Sequence, residues 1–259
     1  MFKFIPMFIM LVTPVFCIAN QPLSNQQVQQ LITQADSYRL GEESAKVVSK
    51  ATLYKQGKQD KTRQYTVYTR ANRESLVIFN AQVEAGQKML MLGDNYWLLM
   101  PKSRRPIRIT PMQKLLGEAS IGDISTLTWS EDYQGHWLSE AQLSFVDLDG
   151  SKQRTDTHKL RLEAKTKGAS YTAITLWLEK ETGFPVKADL FLQSGKMAKQ
   201  AWFTKGMRDG EEKVISMQLD DQIQNQQQTV IEYLLVEPVE IADKYYNPSY
   251  LSRTKSLAL

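Results

Sequence analysis

Residues 159–165 alternate without a break: Leu160, Leu162 and Ala164 fall on one side, and Lys159, Arg161, Glu163 and Lys165 on the other. A period of two marks a strand with one buried face. The pattern returns at Val186, Ala188, Leu190 and Leu192, and again at Ile215, Met217 and Leu219. Segments 47–54, 63–69, 76–79, 171–178 and 229–236 are also strand-like, rich in β-branched and aromatic residues. Turn signals separate these runs, at Gly57, Gly86, Gly93-Asp94-Asn95, Asp149-Gly150, Gly183, Gly195 and Gly210. About ten antiparallel strands with short links describe one curved sheet or an open barrel.

One helix is signalled ahead of the strands. Ser24 is a candidate N-cap with Gln27 three residues on; Val28, Leu31, Ile32 and Ala35 then share a helical face, and Gly41 is a stop. Two stretches break the alternation. Residues 88–92 (Lys-Met-Leu-Met-Leu) and 96–100 (Tyr-Trp-Leu-Leu-Met) flank a tight turn and are apolar on both faces. Such a hairpin cannot leave one face in water, so helices, a partner or a ligand must cover it. The second break is 111–123, where Met112, Leu115 and Leu116 suit a single amphipathic turn ended by Gly117 and Gly122. It is expected to lie across the sheet, as a short movable segment with an apolar face.

Residues 1–19 place Lys3, an apolar run over 4–16, and the small residues Cys17 and Ala19 in the order of a secretory signal peptide cleaved after Ala19. The run is shorter than the ~20 apolar residues of a spanning helix and holds Pro6 and Pro14, which argues against a permanent anchor. The bulky Phe16 before Cys17 argues against lipidation there. Residues 20–259 contain no cysteine and no low-complexity linker, and read as a single domain suited to the periplasm of a Gram-negative bacterium.

Chemistry is sparse. With 32 Lys+Arg against 28 Asp+Glu, the net charge of +4 is too small and too evenly spread to mark a nucleic-acid binder. One cysteine and two histidines, His136 and His158, leave no material for a disulfide framework, a Cys-rich zinc site or a histidine cluster. Asp147-Leu148-Asp149-Gly150 opens like a calcium loop but lacks the closing Glu, so a polar hairpin turn fits better. Neither a phosphate-cradling glycine loop nor a nucleophile elbow occurs. The chain is read as a monomeric non-enzyme with no cofactor and no metal. Its most unusual local feature is Lys102, Arg104, Arg105 and Arg108, four cations directly after the apolar hairpin. Edge protection of a strand explains them; a docking site for an anionic headgroup or a partner does so too.

The run 93–101 (Gly-Asp-Asn-Tyr-Trp-Leu-Leu-Met-Pro), the Arg-rich strand to Thr110-Pro111, Gln113, Gly117 and 120–124 (Ser-Ile-Gly-Asp-Ile) resemble the LolA-like outer-membrane lipoprotein-sorting proteins. The 76–79 strand and the closing 246–251 segment are similar too. The resemblance implies a mainly β (α+β) fold, a half-open antiparallel β-barrel with short helices forming a lid over an apolar cavity. It also implies a periplasmic carrier that takes lipoproteins from an inner-membrane exporter to an outer-membrane acceptor. In that family an arginine past an early strand latches the lid; Arg70 matches it here, with Arg73 as rival, because the chain departs from the best-known carriers over 71–75.

The residues point to the same class without the resemblance. Carrying a sixteen-carbon chain through water costs on the order of 12 kcal/mol, at about 0.8 kcal/mol per CH₂. A carrier offsets that with a lined cavity that is plugged when empty. Candidate lining residues are Leu76, Ile78, Met89, Met91, Trp97, Leu99, Met112, Leu115 and Leu116, with 111–124 as lid. Methionine suits ligands of varied shape; each of these residues also fits an ordinary core. The cargo is expected to be acyl chains of lipoproteins or lipids. The alternative is a regulatory sensor or accessory subunit of a membrane export system on the same fold, docking through the 102–108 strip.

Overall fold

The computed structural model describes residues 22–41, 43–103, 105–146, 150–221 and 227–254. The first helix, α1 (Asn25–Arg39), starts where the capping pair places it: Gln27 N–H donates to Ser24 Oγ at 3.4 Å, and Ser24 N–H to Gln27 Oε1 at 2.9 Å. Val28, Ile32 and Ala35 are buried, Leu31 partly. The helix ends one residue before the expected stop, with Leu40 as its C-cap.

Eleven pairings between strands adjacent in the chain, and one between the first and last strands, then build one antiparallel sheet. In chain order the strands are β1 (Ala45–Lys55), β2 (Lys58–Arg70), β3 (Glu74–Phe79), β4 (Lys88–Leu92), β5 (Asn95–Leu99) and β6 (Ile107–Ile109). A small hairpin follows, β7 (Lys114–Leu116) and β8 (Ala119–Ser120), running into the one-turn helix α2 (Ile121–Ser125). The chain returns as β9 (Tyr133–Val146), β10 (Lys152–Ala164), β11 (Ala173–Glu179), β12 (Pro185–Phe191), β13 (Met197–Arg208), β14 (Glu211–Asp221) and β15 (Gln227–Pro238), and closes with helix α3 (Pro248–Arg253). The sheet order is β6-β5-β4-β3-β2-β1-β15-β14-β13-β12-β11-β10-β9. Its end strands β6 and β9 do not pair with each other, so the sheet stays open.

Three expectations are corrected. Strands β9 and β13 carry no clean apolar alternation and escaped the periodicity reading. At Ile215 the β13–β14 register skips a residue, between Thr204 paired with Ser216 and Lys205 paired with Val214. That bulge turns Ile215 off the main core and puts Val214 there instead. Residues 112–116 do not form a helical turn. Gly117, at φ +54°, turns the chain so that Leu116 pairs with Ala119, and the helical turn begins only at Ile121.

Two apolar cores lie on the two faces of β2–β5. The main core gathers Val67, Val77, Met89, Met91 and Tyr96 with the inward faces of β10–β15, helix α1 and the 111–129 segment. The second core holds Tyr68, Leu76, Leu90 and Leu99 under Tyr245, Tyr246 and Leu251 of the C-terminal segment. That segment is what covers the second face of the doubly apolar β4–β5 hairpin.

Candidate functional site

The 111–132 segment crosses from one open edge of the sheet to the other and fills the interior as a plug. Ile121 and Ile124 are buried in the main core, and α2 touches β2 and β3. On the opposite wall the plug meets β13 and β15. Glu118 N–H donates to Thr229 Oγ1 at 3.0 Å, and the Lys199 ammonium donates to the Glu118 carbonyl. Lys199 also pairs with Asp123 at 2.8 Å, with both side chains almost wholly out of water. The Asp123 carboxylate is saturated: Oδ2 accepts from Ser120 N–H and Oγ, and Oδ1 from Tyr171 Oη at 2.7 Å. Burial pushes this carboxyl up, but the Lys199 charge and the Ser120 bonds outweigh it and hold it below its ordinary range.

Two glycines let the plug seat so closely. A Cβ at Gly117 would lie 2.5 Å from Thr229 Oγ1, and one at Gly122 would lie 1.9 Å from Ser170 Oγ. Helix α1 supplies a further tie, since Asp36 accepts from Trp129 N–H at 2.6 Å and Ser130 N–H at 2.8 Å.

At the open side a clasp joins the two halves of the sheet. Arg73 sits at φ +59° in the β2–β3 turn, a conformation uncommon for a bulky residue and held here by its ion pairs. Its Nη1 donates to Asp94 at 2.7 Å in the β4–β5 turn, and its Nε lies 2.7 Å from the buried Asp132 at the plug's end. Asp94 in turn accepts from Gly168 N–H at 2.9 Å, in the loop after β10. The Arg73 bond, backed by Gly168, holds the Asp94 carboxyl below its ordinary range; burial pushes that of Asp132 up, despite Thr166 and Arg73. Arg70 faces the other way: it pairs with Glu74 at 2.6 Å and with Asp243, and stacks 3.9 Å from the Tyr246 ring, pinning the C-terminal segment.

The expected lining residues are divided between the faces. Met89, Met91, Met112, Leu115 and Leu116 belong to the main core around the plug, whereas Leu76, Ile78, Trp97 and Leu99 pack in the second core under the C-terminal segment. A crevice of about 450 Å³ opens between α1 and the β2–β3 turn, bounded by Leu40, Arg70, Arg73, Met91 and Leu127. In the basic strip Lys102, Arg105 and Arg108 are exposed at edge strand β6 or the loop before it, with Arg108 bonded to Asn95 and 4.8 Å from the Trp97 ring. Arg104 and residues 1–19, expected to be a signal peptide, lie outside the described residues. Periodicity could have flagged Lys199, a lysine in phase with the inward Ala201 and Phe203. The capping-box spacing of Ser120 and Asp123 could have flagged Asp123.

Among the described residues no cluster of His, Cys, Asp or Glu could hold a metal, and no helix is long and apolar enough to cross a membrane. This open antiparallel sheet is similar in fold to several solved structures. A LolA superfamily protein from Nitrosomonas europaea is 23% identical, with TM-score 0.75 over 86% of this chain and 98% of that one. A DUF1329 family protein from Desulfovibrio piger (20%, TM-score 0.66, 87% and 98%) and an outer membrane lipoprotein-sorting protein domain from Vibrio parahaemolyticus (17%, TM-score 0.66, 89% and 100%) share it. No curated protein matches significantly. A family model described as an uncharacterized protein matches residues 71–253, and the chain belongs to that family.

Proposed function

We propose that this protein is a periplasmic carrier that binds acyl chains of lipoproteins or lipids inside the sheet, in the space its plug now fills, and moves them toward the outer membrane. The observation that carries this reading is the plug itself. An apolar interior is occupied by a covalently attached segment that adds to its apolar contacts a few polar ties: Asp123 to Lys199, Asp132 to Arg73, and Asp36 to the 129–130 amides. A protein needing only a packed core has no use for that arrangement, because buried ion pairs contribute little net stability compared with apolar packing. Ties of this kind hold one register of the plug and release it as a unit. In this reading Arg73 is the lid latch and Arg70 holds the C-terminal segment. Handover from an inner-membrane exporter and to an outer-membrane acceptor follows from the same reading.

The test is native mass spectrometry on protein taken from the periplasm, with uptake of an apolar dye by delipidated protein. Co-bound acyl lipid, and dye displaced by a palmitoylated lipid, are expected. A chain that carries no lipid and takes up no dye, even when the plug ties are removed, overturns the reading.

The exposed cations of the 102–108 strip favour a second reading, an accessory subunit that docks on an export system. Charge reversal at Lys102, Arg105 and Arg108 then abolishes capture of a membrane partner and leaves lipid binding intact. Loss of lipid binding instead assigns the strip to headgroups.

A further inference from the structure

Arg39 is the last residue of α1, and its side chain runs into the interior and not out to water; it is only 5% exposed. A guanidinium stays charged in any protein, and a buried one needs acceptors. This one has the charge of Asp36 and the Tyr233 hydroxyl beside it, and is short of further acceptors. Its Nη2 reaches the Thr126 carbonyl at a long 3.4 Å, while Nε and Nη1 have no hydrogen-bond partner. Its Cζ lies 4.2 Å from the centre of the Trp129 ring, which favours a cation but accepts no N–H bond in the plane of the guanidinium. Asp36, one turn earlier, spends both oxygens on the Trp129 and Ser130 amides, and Asp123 spends its own on Lys199, Ser120 and Tyr171.

Arg39 lines a cavity of about 40 Å³ against Trp129, Tyr133, Ile174, Leu190 and Met217. A single water needs about 10–15 Å³ on this measure, so the space takes a group the size of a carboxylate and no bulky headgroup. Ser170 lines the same cavity with a buried hydroxyl that is also unpartnered. A cation with two unused N–H groups and an unused hydroxyl thus face one small space, whose wall also holds Thr126 and Asp123, the latter neutralised by Lys199, and is otherwise apolar or aromatic. Thr126 lines both this cavity and the larger crevice at the open side, so the two adjoin.

Resting on the carrier reading above, we infer that Arg39 is the anion anchor of the interior, and that the preferred ligand is a long-chain carboxylate entering head first, its carboxylate on Arg39 and Ser170. The tail takes the apolar wall once the plug withdraws.

The test compares palmitate with hexadecanol, the same tail without the charge, on the delipidated mature chain by dye displacement. Palmitate is expected to bind about tenfold tighter or better, the scale of one charge-assisted hydrogen bond. Arg39→Gln should bring palmitate down to the hexadecanol value and leave hexadecanol unchanged. Equal binding of the two by the unaltered chain overturns the inference and leaves the carrier reading standing; so does a preference that survives Arg39→Gln. Binding of neither removes the carrier reading and this inference with it. If acetate or inorganic phosphate alone raises the melting temperature of the unaltered chain but not of Arg39→Gln, the site serves a free anion, and the amphiphile is wrong. Should Arg39→Gln fail to fold, the palmitate-to-hexadecanol ratio of the unaltered chain still decides.

Discussion

Asp123 and Lys199 show how much a single buried pair can control. Removing one partner leaves the other charged and dry, which costs about 3–5 kcal/mol. Lys199→Met is therefore expected to lower the unfolding free energy, read from urea unfolding, by that amount. Because the Asp123 carboxyl is held below its ordinary range, its contribution is present above about pH 4 and is lost as pH falls further. Asp123→Asn should be less stable than the unaltered chain at pH 6, with the gap closing toward pH 3. A gap that stays constant would mean Asp123 is not ionised in the folded protein. The arginines separate as well. Arg73→Ala should speed amide exchange over 126–132, and Arg70→Ala over 239–254, each leaving the other region unchanged. The family resemblance brought both arginines forward but did not say which face each served, because that depends on the turn at 71–73, where Asn72 and Arg73 both take positive φ.

Among the elements, the plug is central to the proposed function and was the hardest to read. Its apolar residues are too few to fix a period, and Gly117 makes a hairpin of what spacing alone reads as a helical turn. The strands were legible where one face is buried and the other wet, as in β10 and β12. They were not legible in β9, a mostly half-buried edge, or in β13, where Lys199 interrupts the apolar face. Gly122→Ala tests the plug's seating. In a helix interior this change alone favours folding by about 1 kcal/mol, yet here the new methyl collides with Ser170 and with Pro111 Cβ at 3.2 Å. A net loss of about 1–3 kcal/mol, with faster exchange over 113–125 and more dye uptake, is the expected outcome. A stabilised variant with unchanged dye binding would show that the plug has slack.

For the whole molecule, the doubly apolar hairpin required a cover on each face, and the composition could not say what supplied it. The plug covers one face and the C-terminal segment the other. Ending the chain at residue 240 should uncover Leu76, Leu90, Leu99 and Trp97 and cause aggregation that detergent reverses, read by light scattering. The most direct measurement is hydrogen exchange of the protein with and without a bound acyl chain. Binding should raise exchange across 113–132 as the plug leaves its seat, while the amides of β10–β15 stay protected. An acyl chain that binds with the plug amides as protected as before would place the ligand elsewhere and contradict the account.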